Sequence, residues 1–368
     1  MPNADFYPKQ GSEINGYSVM DIKAVGGTAI VLVCYDSRTG EKKALKRFFP
    51  EKMNNKKFEE KVHAEPALEI KSEHVIKSEY VFVHDGYFHS VMPFIEGLSL
   101  RDAIDLQKLD EPRIVYVALC LTKATCDLHD IGILSTDVKP DNAIILPDGR
   151  AKLLDITCFE KIGTKAEVSL GTFPYAPSEL LNHEVLYETV DVYSIGVVFL
   201  EMLIGAEKFA MMSESWSNSI TYAFKPDISC IRKTYPRAWK IINKAIEPVA
   251  WQRYSNAKEM YDETLNYYSE LTGYQKQKNL VLVYSGKEIS IQAGRVVIGR
   301  NFIEPGNFFI SESHAEIEFD GQSKITIRDA KSRNGTAING KRIDNNWMPL
   351  REGDVLELGN VQLRVKVC

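Results

Sequence analysis

Four polar side chains, Asp137, Lys139, Asn142 and Asp155, constrain the fold of this chain more than any other feature. Residues 135–142 read S-T-D-V-K-P-D-N and residues 152–159 read K-L-L-D-I-T-C-F. An acidic residue, a lysine two on and an amide five on are followed, after a short apolar run, by a second acidic residue. Phosphoryl transfer calls for this set: a carboxylate to take the proton of a hydroxyl, a cation beside the transferred group, and an Asn and an Asp to hold magnesium. Any fold for the chain has to gather those groups in one place.

At 368 residues the chain is long for one domain and comfortable for two. Its 44% hydrophobic and 26% charged content are ordinary for a soluble globular protein, and a net charge of −5 argues against a nucleic-acid partner. The six cysteines, at 34, 120, 126, 158, 230 and 368, show neither metal spacing nor a disulfide rhythm, which points to reduced thiols in a cytoplasmic setting. Residues 1–16 lack the basic start and apolar core of a signal peptide. The longest apolar stretch, 190–204, contains Asp191 and Glu201 and is too short to span a bilayer, so no membrane association is expected.

Residues 17–50 alternate in strand fashion, with turns at Gly26-Gly27 and Thr39-Gly40. Residues 56–70 read as a charged amphipathic helix, and 80–93 as two strands around Asp85-Gly86. From Ser99 helices take over: Ser99 with Asp102 is a capping start, 113–131 has apolar residues at helical spacing, and helices return over 179–271 after a β-rich interlude at 143–154. Residues 273–279 are polar and unpatterned, a short linker. Beyond it, 280–368 shows short alternating strands between Gly, Asn-Gly and Asp-Gly turns, without a helix, as a β-sandwich would.

The opening motif resembles the catalytic loop H-R-D-x-K-x-x-N and the metal loop D-F-G of the protein kinase family. Asp137, Lys139, Asn142 and Asp155 match; Ser135, Thr136, Ile156 and Thr157 depart from the pattern. The resemblance makes Asp137 the catalytic base and Lys139 the neutraliser of the γ-phosphate. It makes Asn142 and Asp155 the magnesium ligands, so ATP and Mg2+ are the implied cofactors. Lys139 with Pro140 after it fits the serine/threonine class. Upstream, residues 24–31 read A-V-G-G-T-A-I-V, where Gly26 and Val31 keep register with the family's glycine loop. Gly26 and Gly27 carry no Cβ, so backbone N–H groups there can approach phosphates. Lys46 matches the strand lysine that holds the α- and β-phosphates. Its carboxylate partner from the next helix is Glu65, although strict spacing to the following strand would place His63 there.

The run V-M-P-F-I-E-G over 91–97 resembles the hinge between kinase lobes. Met92 would be the gatekeeper, Pro93 would offer its carbonyl to the adenine amino group, and Ile95 its N–H to adenine N1. Val31, Ala44 and Ile144 would line the base. Further on, Thr172 would contact Asp137 and Lys139, Glu179 would pair with Arg253, and Asp191 would tie down the catalytic loop. Thr136 replaces the arginine that meets a phosphorylated activation loop, so phosphorylation at Thr164, Ser169 or Thr172 is not expected to be obligatory. Thr157, in place of glycine, limits how far the metal loop can flip.

In the tail, V-V-I-G-R over 296–300, I-S-E-S-H-A-E-I over 310–317, S-R-N-G-T over 332–336 and Asn339-Gly340 together resemble a forkhead-associated (FHA) domain. That family reads phosphothreonine with a guanidinium, hydroxyl donors and an amide that grips the peptide backbone. Arg300 and Ser311 match the phosphate ligands and Asn334 the backbone clamp; Ser332, Arg333 and Thr336 line the same loop. His314 reads as a buried brace between loops, and Asn339 as a hairpin turn or a ligand. Glu312 stands where many relatives carry arginine, which makes the pocket less cationic.

The expected architecture is α+β: a bilobal protein-kinase fold over 12–272, with a β-rich N-lobe and a helical C-lobe, then a linker at 273–279 and an all-β FHA sandwich over 280–368. The expected activity is transfer of the γ-phosphoryl of Mg-ATP to serine or threonine hydroxyls of proteins. The tail would recruit phosphothreonine-bearing substrates or bind phosphorylated segments of another copy. A competing reading is a catalytically silent scaffold, favoured by the eroded glycine loop and D-I-T and opposed by intact Lys46, Asp137, Asn142 and Asp155. Phosphorylation of a small molecule fits the same side chains.

Overall fold

The computed structural model describes residues 6–166, 171–217, 225–275 and 278–368. The chain divides into two compact units, Met1–Thr272 and Gly273–Cys368.

The first unit opens with strands β1 (Glu13–Ile14), β2 (Tyr17–Val25), β3 (Ala29–Asp36) and β4 (Lys42–Phe48), helices α1 (Pro50–Met53) and α2 (Lys56–Ala64), and strands β5 (Tyr80–His84) and β6 (Tyr87–Pro93). The strands form one antiparallel sheet in the order β1-β2-β3-β4-β6-β5. Successive side chains of a strand face opposite ways. In β4 this sends Leu45 into a core with Phe6, Tyr17, Ile30, Leu32 and Val91, and Phe48 to the other face, against Phe58 and Val62 of α2. Lys46 shares the parity of Phe48, and its ammonium lies over the Phe48 ring. A lysine on this strand is thereby aimed to the Phe48 face of the sheet and is buried.

Helix α2 is capped by Asn55, whose side-chain oxygen accepts from the N–H groups of Lys57 and Phe58. It stops at Ala64, short of the residue 70 expected from its pattern. Pro66 has no N–H and its ring collides with the carbonyl four residues back, so Glu65–Ala67 tightens into a 3-10 turn.

The helical lobe follows: β7 (Leu98–Ser99), α3 (Leu100–Asp105), α4 (Glu111–His129), β8 (Ile133–Leu134), β9 (Ala143–Ile145), β10 (Ala151–Leu153), β11 (Glu160–Lys161), α5 (Ser178–Leu181), α6 (Thr189–Ile204), α7 (Ala206–Ser217), α8 (Ser229–Arg232), α9 (Pro236–Ala245) and α10 (Ala257–Thr272). Leu121 of α4, Val197 and Leu200 of α6, Ile242 of α9 and Met260 of α10 meet in its core. Asp110 caps α4, accepting from the Arg113 N–H. Ser99 caps α3, its hydroxyl accepting from the Asp102 N–H and donating to the Asp102 carboxylate. Gly97 lets the chain between the lobes cross β9, because a Cβ there would run into the Ile145 carbonyl. Among the described residues no helix is long and apolar enough to cross a membrane.

The second unit contains β12 (Leu280–Tyr284), β13 (Lys287–Ile291), β14 (Gly294–Ile298), α11 (Arg300–Ile303), β15 (Ala315–Phe319), β16 (Ile325–Asp329), β17 (Thr336–Ile338), β18 (Lys341–Ile343), β19 (Met348–Leu350), β20 (Val355–Leu358) and β21 (Val361–Val367). Its two sheets run β13-β12-β21-β20-β17-β18 and β14-β15-β16-β19. Alternate residues, among them Leu280, Leu282, Ile317, Phe319, Ile327, Leu363 and Val365, fill the core. The one-turn helix α11 departs from the expectation of strands alone; four residues are too few to show a helical period. Asn279 and Cys368 exchange both backbone hydrogen bonds at 2.9 Å, and the Lys278 N–H reaches the Gly321 carbonyl. Residues 278 and 279, read from sequence as linker, thus already bond within this unit. All six cysteines are free, with Cys230 and Cys368 exposed.

Candidate functional site

The hairpin β9–β10 brings the motif residues together. Ala143 pairs with Leu153, and the Leu154 N–H donates to the Asn142 carbonyl at 2.8 Å, so Asn142 and Asp155 leave the hairpin side by side. Before it, the loop is held from below by Asp191 at the start of α6. That buried carboxylate accepts from the N–H of Ser135 and of Thr136, both at 2.9 Å, and bonds the His129 imidazole at 2.8 Å. Thr136 sits at φ +60°, a costly conformation for a β-branched residue. Its hydroxyl repays this by donating to the Cys158 carbonyl at 2.7 Å, which joins the catalytic loop to the segment after Asp155.

Asp137 is the hub of the loop. Its carboxylate accepts from Lys139 Nζ at 2.9 and 3.0 Å, from Asn142 Nδ2 at 2.8 Å and from the Thr172 hydroxyl at 3.2 Å. Lys139 also donates to Thr172 Oγ1 at 2.8 Å. Burial pushes the Asp137 carboxyl above the usual range; Lys139 opposes this and the nearby Asp155 charge adds to it. Both N–H bonds of Asn142 point at Asp137, one to its carbonyl and one to its carboxylate, which leaves the amide oxygen for another partner.

Lys46 Nζ donates to Asp155 Oδ2 at 2.5 Å. Burial would raise Asp155, but the ammonium beside it, together with hydrogen bonds from Thr157, outweighs this and holds it at about 2. Glu65, the expected partner of Lys46, is buried just beyond α2, whereas His63 is exposed and its ring meets Phe88. Glu65 bonds Ser78 through one oxygen and Thr157 through the other. Among the described residues no ion pair joins Lys46 to Glu65. The direct contact expected from sequence is replaced by a hydroxyl between the two, because the carboxylate is already committed to Ser78.

Around this polar centre, Val31 faces Lys46 across β3–β4 and Ala44 faces Met92 across β4–β6, with Lys43 opposite Pro93. Ala44 and Ile144 are buried, while Val31, Met92, Pro93 and Ile95 are half-buried. The exposed Gly26-Gly27 turn closes β2 onto β3 through the Gly26 N–H and the Ala29 carbonyl. Structural pairs complete the lobe. Arg253 forks onto Glu179 at 2.5 and 3.2 Å, with both residues buried. Sequence reading missed two others. Lys61 of α2 and Glu160 of β11 form a buried ion pair at 2.7 Å, and Glu201 accepts from Arg101 and the Tyr175 hydroxyl. Their members are far apart in the chain and follow no motif. Of the activation-segment hydroxyls, Thr164 donates to the Lys161 carbonyl; Ser169 lies outside the described residues.

In the second unit, Gly299 is required because any side chain there would meet the Glu312 carbonyl. Next to it, Arg300 caps the Ile310 carbonyl through Nε and stacks over the exposed Phe308 ring at 4.9 Å. The Ser311 hydroxyl accepts from the Arg333 N–H, and Asn334 Nδ2 donates to the Phe309 carbonyl at 2.9 Å. His314 is fully buried: Nδ1 accepts from the Ser311 N–H, so Nε2 donates to the Gly335 carbonyl, bracing the two loops together. Ser332 has its hydroxyl engaged inside the loop, donating to Asp329 and accepting from the Gly335 N–H. Thr336 is buried and donates to the same Asp329. Asn339 is held by Asp354 and the Val355 N–H at a hairpin turn. Arg342 was not foreseen; its guanidinium lies against the bare Cα of Gly335.

Residues 20–267 match the protein kinase domain family and residues 294–359 the FHA domain family. The first match takes in well over half of the sequence, and the chain belongs to the protein kinase family, with an FHA domain in its C-terminal unit. Mitogen-activated protein kinase 12 of Danio rerio is 31% identical over 200 residues, covering 51% of this chain and 54% of that protein. Serine/threonine-protein kinase PAK 5 of Rattus norvegicus is 26% identical over 190 residues, covering 49% of this chain and 25% of that protein. The chain therefore spans about half, or less, of the length of these relatives. Among solved structures, the Mycobacterium tuberculosis PknI kinase domain shares the fold, with a TM-score of 0.57 at 17% identity over 71% of this chain and 99% of that one.

Proposed function

We propose that the first unit transfers the γ-phosphoryl of ATP to serine or threonine hydroxyls of proteins, and that the second reads phosphothreonine on a peptide. The observation that carries the first part is the hydrogen-bonded set of Asp137, Lys139, Asn142 and Thr172 beside the Lys46–Asp155 pair. Asp137 would orient the acceptor hydroxyl and take its proton, with Lys139 and Thr172 fixing its carboxylate. Lys46 would hold the α- and β-phosphates beneath the Gly26-Gly27 turn. Val31, Ala44 and Ile144 would line the base, with Met92, Pro93 and Ile95 at its polar edge.

The donor set suits magnesium. Asp155 is ionised at neutral pH and, among the described residues, the Asn142 amide oxygen has no hydrogen-bond donor, giving two hard oxygens of the kind this ion takes alongside phosphate and water. When bound, the ion would offset charge on the phosphates. For the second unit, Arg300 and Ser311 would take the phosphate and Asn334 the peptide backbone, with Ser332 shaping their loop. Phosphothreonine segments of substrates or of a second copy are the partners this reading implies.

Purified protein given radiolabelled ATP and magnesium should label itself or a basic acceptor protein, and Asp137→Asn should not. Nucleotide binding without any labelling by the unaltered chain would favour a silent scaffold instead.

A further inference from the structure

We propose that Thr157 is a positioning residue whose hydroxyl locks Glu65 of the first lobe to the Asp155 loop of the second, in place of a direct lysine–carboxylate contact. This rests on the kinase reading above, and the test is chosen to separate the two. Thr157 is 2% exposed. Its hydroxyl lies 2.9 Å from Glu65 Oε2 and 3.4 Å from Lys46 Nζ. The ammonium only donates, so a lone pair of the hydroxyl faces the lysine and its one proton is left for the Glu65 carboxylate.

The other contacts leave little freedom. Glu65 Oε1 is held by the N–H and the hydroxyl of Ser78, at 2.9 and 3.0 Å, so the carboxylate cannot swing to Lys46 without abandoning both. The Thr157 N–H donates to Asp155 Oδ1 at 3.0 Å, which leaves Oδ2 for Lys46. Glycine at this position could supply the N–H and nothing else. Threonine adds the hydroxyl, and its β-branch restricts χ1. Rotating the Asp155 loop away would strip a buried carboxylate of one of its donors, a costly exchange in a site closed to water. One side chain of the loop thus joins it to the turn after α2, alongside the Lys61–Glu160 ion pair.

The test uses the full chain with Thr157→Val, Thr157→Ser, Glu65→Ala and the Val–Ala double variant. It reads kcat/KM for ATP, together with hydrogen exchange over 155–160 in the nucleotide-free protein. Thr157→Val should lower kcat/KM roughly tenfold, the rate equivalent of one charge-assisted hydrogen bond, and speed exchange. Thr157→Ser should recover most of both losses. The double variant should be no worse than Glu65→Ala alone, since each change removes the same bond. A Val variant that matches the unaltered protein, a Ser variant that behaves like Val, or losses that add would overturn the proposal. If the unaltered chain transfers no phosphate, the kinase reading fails, while exchange in the Ser and Val variants still decides the clamp.

Discussion

At the scale of single residues, burial sets the charge state of groups that a sequence shows only as letters. His89 accepts from Arg47 Nε at 2.8 Å, stacks on Phe82 and is fully buried. Burial, helped by the Arg47 charge, pushes its imidazole from the ordinary 6.5 down to about 3. The unfolded chain takes up a proton near 6.5 and the folded chain does not until about 3, so stability is complete above 6.5 and is lost as pH falls through that window. The loss from this group by pH 4 is on the order of 3 kcal/mol. Urea unfolding as a function of pH should therefore decline more steeply in the unaltered protein than in His89→Gln, which keeps an acceptor for Arg47. Equal slopes would contradict this. The cluster around Asp137 was legible because a short spacing fixes its members along the chain. The surroundings of Lys46 were not, because the Asp155–Thr157 loop, Glu65 and Ser78 arrive from three separate segments.

Among the elements, the strands and long helices followed from periodicity, and the failures lie where a tertiary or local veto acts. Helix α2 ends at Ala64, ahead of Pro66, although its charged pattern runs on, and α11 is a single turn with no period to detect. The hairpin β9–β10 was visible only as β-rich sequence, yet its register is what sets Asn142 beside Asp155. Arg253, joining the segment before α10 to Glu179 at the start of α5, ties distant elements through a buried pair. Arg253→Met should destabilise the first unit by about 3 kcal/mol or more, because it leaves a buried carboxylate unpaired. The double change with Glu179→Leu should recover much of that loss. Chemical denaturation of the three variants measures both effects; a double variant worse than the single one would refute the argument.

On the scale of the whole molecule, each unit carries its own apolar core, and the change from helical to alternating patterning near residue 280 announced both. Residues 273–368 expressed alone should keep the strand content of the second unit by circular dichroism. They should bind a phosphothreonine peptide that Arg300→Ala loses and that dephosphorylation abolishes. A soluble, folded fragment indifferent to the phosphate would leave the β-sandwich standing and remove its proposed reading role. The hydrogen bonds between Asn279 and Cys368 carry one more implication. They set the entry and exit of the sandwich side by side, so the module could be spliced into a surface turn of an unrelated host like a plug with both prongs at one end. The loops carrying Arg300, Ser311 and Asn334 would travel intact, and neither the host nor the cassette would need a long tether to close the graft.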